Sequence, residues 1–362
     1  MAAAPDTHSG SGALAPVFIA SPMTRILIVT PNWIGDCVAA QPLFMRLATR
    51  RPDVVIDALA PAWVAPALQA MPEIRKVIPN PFGHGAFDPV GRWQLARSLA
   101  GQYDEAYVLP NSWKSALIPL FAGIPVRVGF IGEARYGLIN RTHRLDKQAL
   151  PLQVERYAQL AEVPGTALER PLPNPLLRRD ATAVAATLAK HGLAAEPKPV
   201  VFCPGAEYGP AKRWPERHFA ELARRLKAEG NPVWILGSKK DAPVADEIVR
   251  LSGGAALNLC GNTSLADAID LIAHARFVVT NDSGLMHVAA ALGTPLVALF
   301  GSTSANYTPP LSERAAVIWL KLPCSPCFKR ECPLGHLDCL NKITPEMVEA
   351  QARDLLAQGG PR

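Results

Sequence analysis

Three short stretches carry side chains that could do chemistry together. In VTPNWIGDCVAAQPLF (29–44) a strand pattern ends at Thr30 and a helix pattern begins near Cys37, with Gly35 and one carboxylate, Asp36, between them. An aspartate in that position would repel a phosphate. It suits a hydroxyl that must be deprotonated or hydrogen-bonded, such as a sugar's, although a free aspartate, with a pKa of about 3.9, is a weak base. Asp is also a common helix N-cap, so both roles stay open here. In CPGAEYGPAKRWPERHF (203–219), Gly205, Gly209 and Pro210 break regular structure after a strand, and Lys212 and Arg213 follow. A glycine loop that ends in cations can clamp a diphosphate, Lys as a point charge and Arg as a fork. A solvated loop with incidental basic residues would read the same way. In TNDSGLMHVAAALGTP (280–295) a strand runs into Asn281-Asp282-Ser283-Gly284 and then a helix carrying Met286, His287 and Ala290. Amides of Ser283 and Gly284 at a helix start, together with its dipole, attract phosphate, and Gly284 admits a ligand close to the backbone. The plain alternatives are an Asp or Ser N-cap and a core histidine.

Two further stretches have charge or metal-ligating potential. Across 109–144, Lys114, Arg127, Arg135, Arg141 and Arg144 alternate with Trp113, Phe130 and Tyr136. Cations among aromatics suit an acidic, partly apolar ligand, or form a basic solvated face. CSPCFKRECPLGHLDC (324–339) offers Cys324, Cys327, Cys332 and Cys339, with His336. The C-x-x-C opening is typical of structural zinc, but the later spacing is not that of a standard finger, and reduced cysteines in a loop are the simpler reading. The three remaining cysteines, Cys37, Cys203 and Cys260, read as small buried hydrophobes. Two familiar phosphate signatures are missing: G-x-G-x-x-G, which removes the main support for a dehydrogenase, and GxxxxGK[ST].

The elements that must position these residues follow from hydrophobic patterning. RILIVT (25–30), VVIDAL (54–59) and EAYVLP (105–110) are short apolar runs of the kind buried on both faces. Helical patterns, QPLFMRLATR (41–50) and VGRWQLARSLA (90–100), separate them. The alternation restarts with strands at 199–205, 232–238, 257–261, 276–282 and 295–301. ERHFAELARRLKAEG (216–230) is an amphipathic helix with Phe219, Leu222, Ala223 and Leu226 on one face and Gly230 closing it. Such β-α-β alternation implies parallel sheets covered by helices on both faces. The proline-interrupted PGTALERPLPNPLLRRD (164–180) is the linker between two doubly wound units, and TPEMVEAQARDLLAQ (344–358) is a final helix capped by Thr344, with Pro345 in its first turn. Ligands of such sheets bind beyond the strands' carboxyl ends, where every stretch above lies.

Bulk properties narrow the class. The 362 residues, 49% hydrophobic and 19% charged, suit an ordinary two-domain globular chain. A net charge of +6 favours an anionic partner, and no Lys/Arg-rich run points to nucleic acid. The first 23 residues hold no Lys or Arg and read as a mostly disordered leader rather than a secretory signal. The longest apolar run, VAAALGTPLVALF, is broken by Gly293, Thr294 and Pro295, so a cytoplasmic protein that touches a membrane only from outside is expected.

Taken together, ILIVTPNWIGDCVAAQPLF, LPNSWKSALIPLFAGIPVRVGFIGEARYGLIN, FCPGAEYGPAKRWP, VVTNDSGLMHVAAALGTPLVALFGST and CSPCFKRECPLGHLDCL resemble the lipopolysaccharide heptosyltransferase family over residues 25–345, in family order. The resemblance implies a GT-B glycosyltransferase: an N-terminal Rossmann-like acceptor domain (24–170), a C-terminal nucleotide-sugar domain (171–345) and a closing helix and tail (346–362). It implies inverting transfer of L-glycero-D-manno-heptose from ADP-heptose to the lipopolysaccharide inner core, onto the first heptose of heptosyl-Kdo2-lipid A, with no metal needed for catalysis and peripheral contact with the inner membrane. It implies that Asp36 is the base and that Lys212 holds the diphosphate. Asp282, Ser283, Gly284 and His287 form its donor motif, in which Asp282 would hold heptose hydroxyls or cap the helix. The cations of 109–144 would meet acceptor carboxylates and phosphates. Rivals that remain are another heptosyltransferase of the family, a nucleotide-sugar epimerase of the same fold, and a zinc-stapled lipopolysaccharide-binding protein.

Overall fold

The computed structural model describes residues 23–83 and 87–358. The leader expectation therefore falls outside the described residues, Met23 apart. Six parallel strands, β1 (Arg25–Val29), β2 (Val55–Ala60), β3 (Ile74–Pro79), β4 (Glu105–Val108), β5 (Val126–Phe130) and β6 (Arg141–His143), form a sheet in the order β3-β2-β1-β4-β5-β6. Six more, β7 (Val200–Cys203), β8 (Val233–Ile235), β9 (Leu257–Asn258), β10 (Phe277–Asn281), β11 (Leu296–Phe300) and β12 (Ala315–Trp319), form a second in the order β12-β11-β10-β7-β8-β9. Counted from each sheet's own first strand, the two orders are identical. Each sheet reverses its winding beside that first strand, between β1 and β4 and between β7 and β10. Those two switch points are where ligands of doubly wound sheets bind.

The strands read as apolar runs are the central ones and the edge strand β9; Ile26, Leu27, Ile28, Val200, Val201 and Phe202 of β1 and β7 are wholly buried. Four strands went unread, of which only β12, AAVIW, is an unbroken apolar run. β3, β6 and β12 are sheet edges, half exposed, with sequences such as IRKVIP and RTH. β5 is interrupted by Arg127 and Gly129.

Helices α1 (Ile34–Ala39), α2 (Gln41–Arg50), α3 (Ala65–Gln69), α4 (Pro89–Leu99), α5 (Trp113–Phe121) and α6 (Gln153–Ala158) belong to the first sheet. The second carries α7 (Ala181–Lys190), α8 (Glu216–Ala228), α9 (Ala242–Leu251), α10 (Leu265–His274), α11 (Gly284–Ala291), α12 (Asp338–Asn341) and α13 (Pro345–Gln358). α8 buries Phe219, Leu222, Ala223 and Leu226, the stripe its periodicity requires.

The proline-rich linker is a structural member rather than a loose tether. The Gln41 side-chain amide clasps Leu176 from both sides, its Nε2 donating to Leu176 O (2.7 Å) and its Oε1 accepting from Leu176 N (2.8 Å). The next two amides divide between the domains, Leu177 N donating to Ala291 O and Arg178 N to Ala70 O. Beneath the cleft one apolar cluster runs through both units, from Ile26, Val38 and Leu68 to Ile269, Met286 and Val288.

Candidate active site

Asp36 leaves β1 at the first switch point, and Asp282 and Ser283 leave β10 at the second. Trp33 is the N-cap residue of α1, and no side chain caps that helix. Asp36 sits two residues into the first turn and lines the cleft, so the N-cap alternative falls. Two glycines bring the helix starts of the two domains together. A Cβ on Gly35 would come within 2.7 Å of His287 Cδ2, and one on Gly284 within 3.1 Å of Ile34 Cβ. Glycine is required at 35 by this approach rather than by its φ.

Two cavities meet at Asn32, Trp33 and Asp36. The larger, about 900 Å³, reaches into the C-terminal domain past Gly205, Lys212, Asp282, Ser283, Gly284 and His287. The smaller, about 590 Å³, lies in the N-terminal domain and takes in Asn111, Lys114, Lys147, Arg156, Tyr157 and Tyr307.

Burial raises the pKa of Asp36 from its ordinary value to about 6, against the opposing pull of a hydrogen bond from Tyr157 and the charge of Lys212. The carboxylate is thus a stronger base than a free aspartate. Tyr157, on α6, was not singled out in the sequence; it lies within an ordinary amphipathic pattern. Its neighbours extend across the cleft. The Tyr307 hydroxyl donates to Gln153 Oε1, and the Arg156 guanidinium stands 4.7 Å over the Tyr307 ring.

On the donor side, Lys212 Nζ donates to Asp282 Oδ2 at 2.6 Å, and Thr303 Oγ1 donates to the same oxygen at 2.5 Å. Lys212 and Asp282 are both largely withdrawn from water. Asp282 is therefore the ion-pair partner of Lys212 and not a cap, since α11 has no side-chain cap. Ser283 does not cap either; its hydroxyl lies 3.4 Å from Thr280 Oγ1. The first-turn amides of α11 face the larger cavity without a side-chain cap, the arrangement that suits an anion. His287 is buried, and desolvation lowers its pKa, which keeps the ring neutral against Gly35. Asn281 fastens the two loops: its Oδ1 accepts from Trp214 N (3.0 Å) and its Nδ2 donates to Pro204 O (2.7 Å). Gly205 is pressed against the Asp241 carboxylate, 2.5 Å from where a Cβ would stand.

Of the five cations read from 109–144, only Lys114 lines the smaller cavity. Arg127 and Arg135 hold the chain instead. The Arg127 guanidinium donates to the carbonyls of Leu138 and Ile124, both at 2.7 Å. Arg135 is buried and donates to Pro110 O (2.9 Å), Asn111 Oδ1 (3.1 Å) and Phe130 O. Arg141 and Arg144 are exposed on and after the edge strand β6, outside both cavities. The cavity's remaining cations, Arg92, Lys147 and Arg156, come from segments whose composition gave no signal.

The cysteine segment 324–339 supports the Lys212 loop. Ala211 N donates to Arg330 O (3.0 Å) and the Tyr208 hydroxyl to Phe328 O (2.7 Å), while a Cβ on Gly209 would meet Arg330 O at 2.5 Å. Gly209, at φ +153, is a close-approach glycine. Cys324, Cys327, Cys332 and Cys339 are all free thiols. The amides of residues 334–337 turn onto the Cys332 sulfur and lower its pKa. Among the described residues, no three His, Cys, Asp or Glu side chains are placed to hold a metal ion, so the zinc option finds no converged ligand set.

Two Rossmann-like units of one strand order, facing each other across a cleft with a carboxylate on one side and a lysine and an uncapped helix start on the other, define a GT-B glycosyltransferase. The family model described as glycosyltransferase family 9 (heptosyltransferase) matches residues 92–338, and the chain belongs to that family. Lipopolysaccharide heptosyltransferase 2 of Escherichia coli K12 is 47% identical over 349 residues, covering 92% of this chain and 99% of that protein. Lipooligosaccharide heptosyltransferase 2 of Haemophilus influenzae is 45% identical over 92% of this chain and all of that one. The solved structure of E. coli ADP-heptose lps heptosyltransferase II superposes with a TM-score of 0.83 at 44% identity, over 93% of this chain and all of that chain.

Proposed function

We propose that this enzyme transfers L-glycero-D-manno-heptose from ADP-heptose to the first heptose of heptosyl-Kdo2-lipid A, with inversion, at the cytoplasmic face of the inner membrane. The observation that carries the reading is the junction of the two cavities at Asp36, which gives each substrate its own compartment and places one carboxylate between them. The donor's nucleotide occupies the larger cavity and the acceptor sugars the smaller.

Asp36 accepts the proton of the attacking hydroxyl as its oxygen bonds to the anomeric carbon. A pKa of about 6 leaves the group ionised at neutral pH yet closer to the proton it must take. The bond to the β-phosphate oxygen breaks on the opposite face, and ADP leaves with the added negative charge. Lys212, aimed by Asp282 and Thr303, and the first amides of α11 meet that charge with dipoles already in place. Lys114, Lys147 and Arg156 meet the anionic groups of the acceptor.

The test is ADP release from ADP-heptose with acceptors carrying no heptose or one heptose. Release with heptosyl-Kdo2-lipid A alone supports the reading. Equal or greater release with Kdo2-lipid A would reassign the acceptor, and free epimer without any acceptor would make the protein an epimerase.

A further inference from the structure

α4 departs from a simple amphipathic helix at its start. It buries Arg92, Ala96 and Leu99 and turns Val90 and Trp93 to water, 63% and 51% exposed. Phe87, one position before the N-cap residue Asp88, is 55% exposed, and its ring lies 5.4 Å from that of Trp113 at the start of α5. Exposed apolar side chains are ordinary when scattered; a row of Phe, Val and two Trp on adjoining helix starts is not. Two cations lie on the aromatic faces, Arg97 5.5 Å from the Trp93 ring centre and Lys114 5.7 Å from that of Phe87. The carboxylate in the row, Asp88, is folded back onto Gly91 N at 2.8 Å, inside its own helix start.

We infer that this aromatic and basic row, Phe87, Val90, Trp93, Arg97 and Trp113, is the surface that seats the enzyme on an anionic lipid bilayer. Amphipathic aromatic rings settle at the headgroup level, and adjacent Arg and Lys side chains meet anionic headgroups. The charge is complementary, on a chain of net +6. The surface also continues into the acceptor cavity, whose wall includes Arg92, Ser112, Lys114 and Ser115 of the same two helices and the turn between them and the sheet. A sugar anchored in the bilayer would enter the smaller cavity beside the row without its lipid leaving the membrane. The inference rests on the proposed lipid-anchored acceptor for its purpose, but not for its measurement.

The experiment uses the full chain and the double variant Val90→Asp, Trp93→Asp, whose positions line neither cavity. Co-sedimentation with phosphatidylcholine vesicles, with and without phosphatidylglycerol, reads the surface directly. The parent chain should bind the anionic vesicles more tightly than the neutral ones, and the variant should lose about tenfold or more in vesicle affinity. ADP release should fall on acceptor embedded in vesicles and stay at the parent rate on an acyl-free, water-soluble acceptor, with an unchanged melting temperature. Equal vesicle binding by the two chains would overturn the inference. So would light scattering that shows a dimer of the parent chain, dispersed by the variant, with no vesicle binding. If neither acceptor turns over in the parent chain, the proposed function fails while the vesicle measurement still decides the surface.

Discussion

The two sides of the cleft share a strand order and differ in how their charges are held. On the C-terminal side, Lys212 is fixed by Asp282 and Thr303, and the loops that carry them are tied through Asn281 and propped by residues 328–330. On the N-terminal side one half-buried carboxylate is fixed, and the cations around the smaller cavity come from α4, α5, α6 and the loop before α6. A compact diphosphate rewards charge already aimed before it binds, because no reorganisation is needed when negative charge grows. In the proposed reading, an extended acceptor with several anionic groups would be met by dispersed cations, each worth less.

That contrast predicts a descending series of effects. Asp36→Ala should lower kcat by roughly 10²–10⁴ and leave ADP affinity near the parent value, measured by calorimetry and initial rates. Equal losses of both would make Asp36 a structural residue. Lys212→Ala should reduce kcat/KM for the donor by about 10²–10³ and also destabilise the fold by about 3 kcal/mol, since it leaves Asp282 buried beside Thr303 alone. Replacing Asp282 as well should recover part of the stability without recovering the rate; failure of that recovery would mean the pair is not the fixed unit described. On the acceptor side, Lys147→Ala should raise the acceptor KM by about three- to tenfold with the donor KM unchanged, while Arg141→Ala and Arg144→Ala change neither. An Arg144 effect as large as that of Lys147 would erase the distinction drawn between cavity and edge strand.

The smallest effects concern the titration of Asp36. Asp36 must be ionised to accept a proton, so kcat/KM should fall as pH drops through about 6. Tyr157→Phe removes an interaction that holds the pKa down, and the acid limb should move to higher pH. A limb that stays in place would remove Tyr157 from the account. Folding raises this carboxyl's pKa above its unfolded value near 3.8, so its ionised form is penalised in the folded state once pH exceeds that value. Asp36→Asn should therefore melt higher than the parent well above pH 6, by about 1–3 kcal/mol, and show no gain below pH 4.

Legibility in the sequence followed physical cause. Central strands bury both faces and so carry unbroken apolar runs such as RILIV and VVFC, which can be read without coordinates. The half-wet edge strands β3 and β6 keep polar residues and so had no such signal, whereas the edge strand β12, AAVIW, is apolar throughout and was simply not singled out. Asp36, Lys212, Ser283 and Gly284 could be singled out because strand-to-helix turns at a sheet's carboxyl edge confine chemistry to a few adjacent residues. Arg135 could not be sorted from a ligand-binding arginine, because its fate depends on three acceptors from the segment 110–130 that close around it.

What the residues alone determined was local: the β-α-β alternation, the glycine loops, and a carboxylate and a lysine at strand ends. These depend on neighbours within a turn or two, which the chain specifies directly. What only the tertiary structure decided was which distant groups meet. Burial in the cleft, opposed by Tyr157 and Lys212, set the basicity of Asp36, Asp282 was turned onto Lys212, and four separate segments supplied the smaller cavity's cations. Desolvation and charge pairing act through space, and their strength is fixed only when the two domains close on one another.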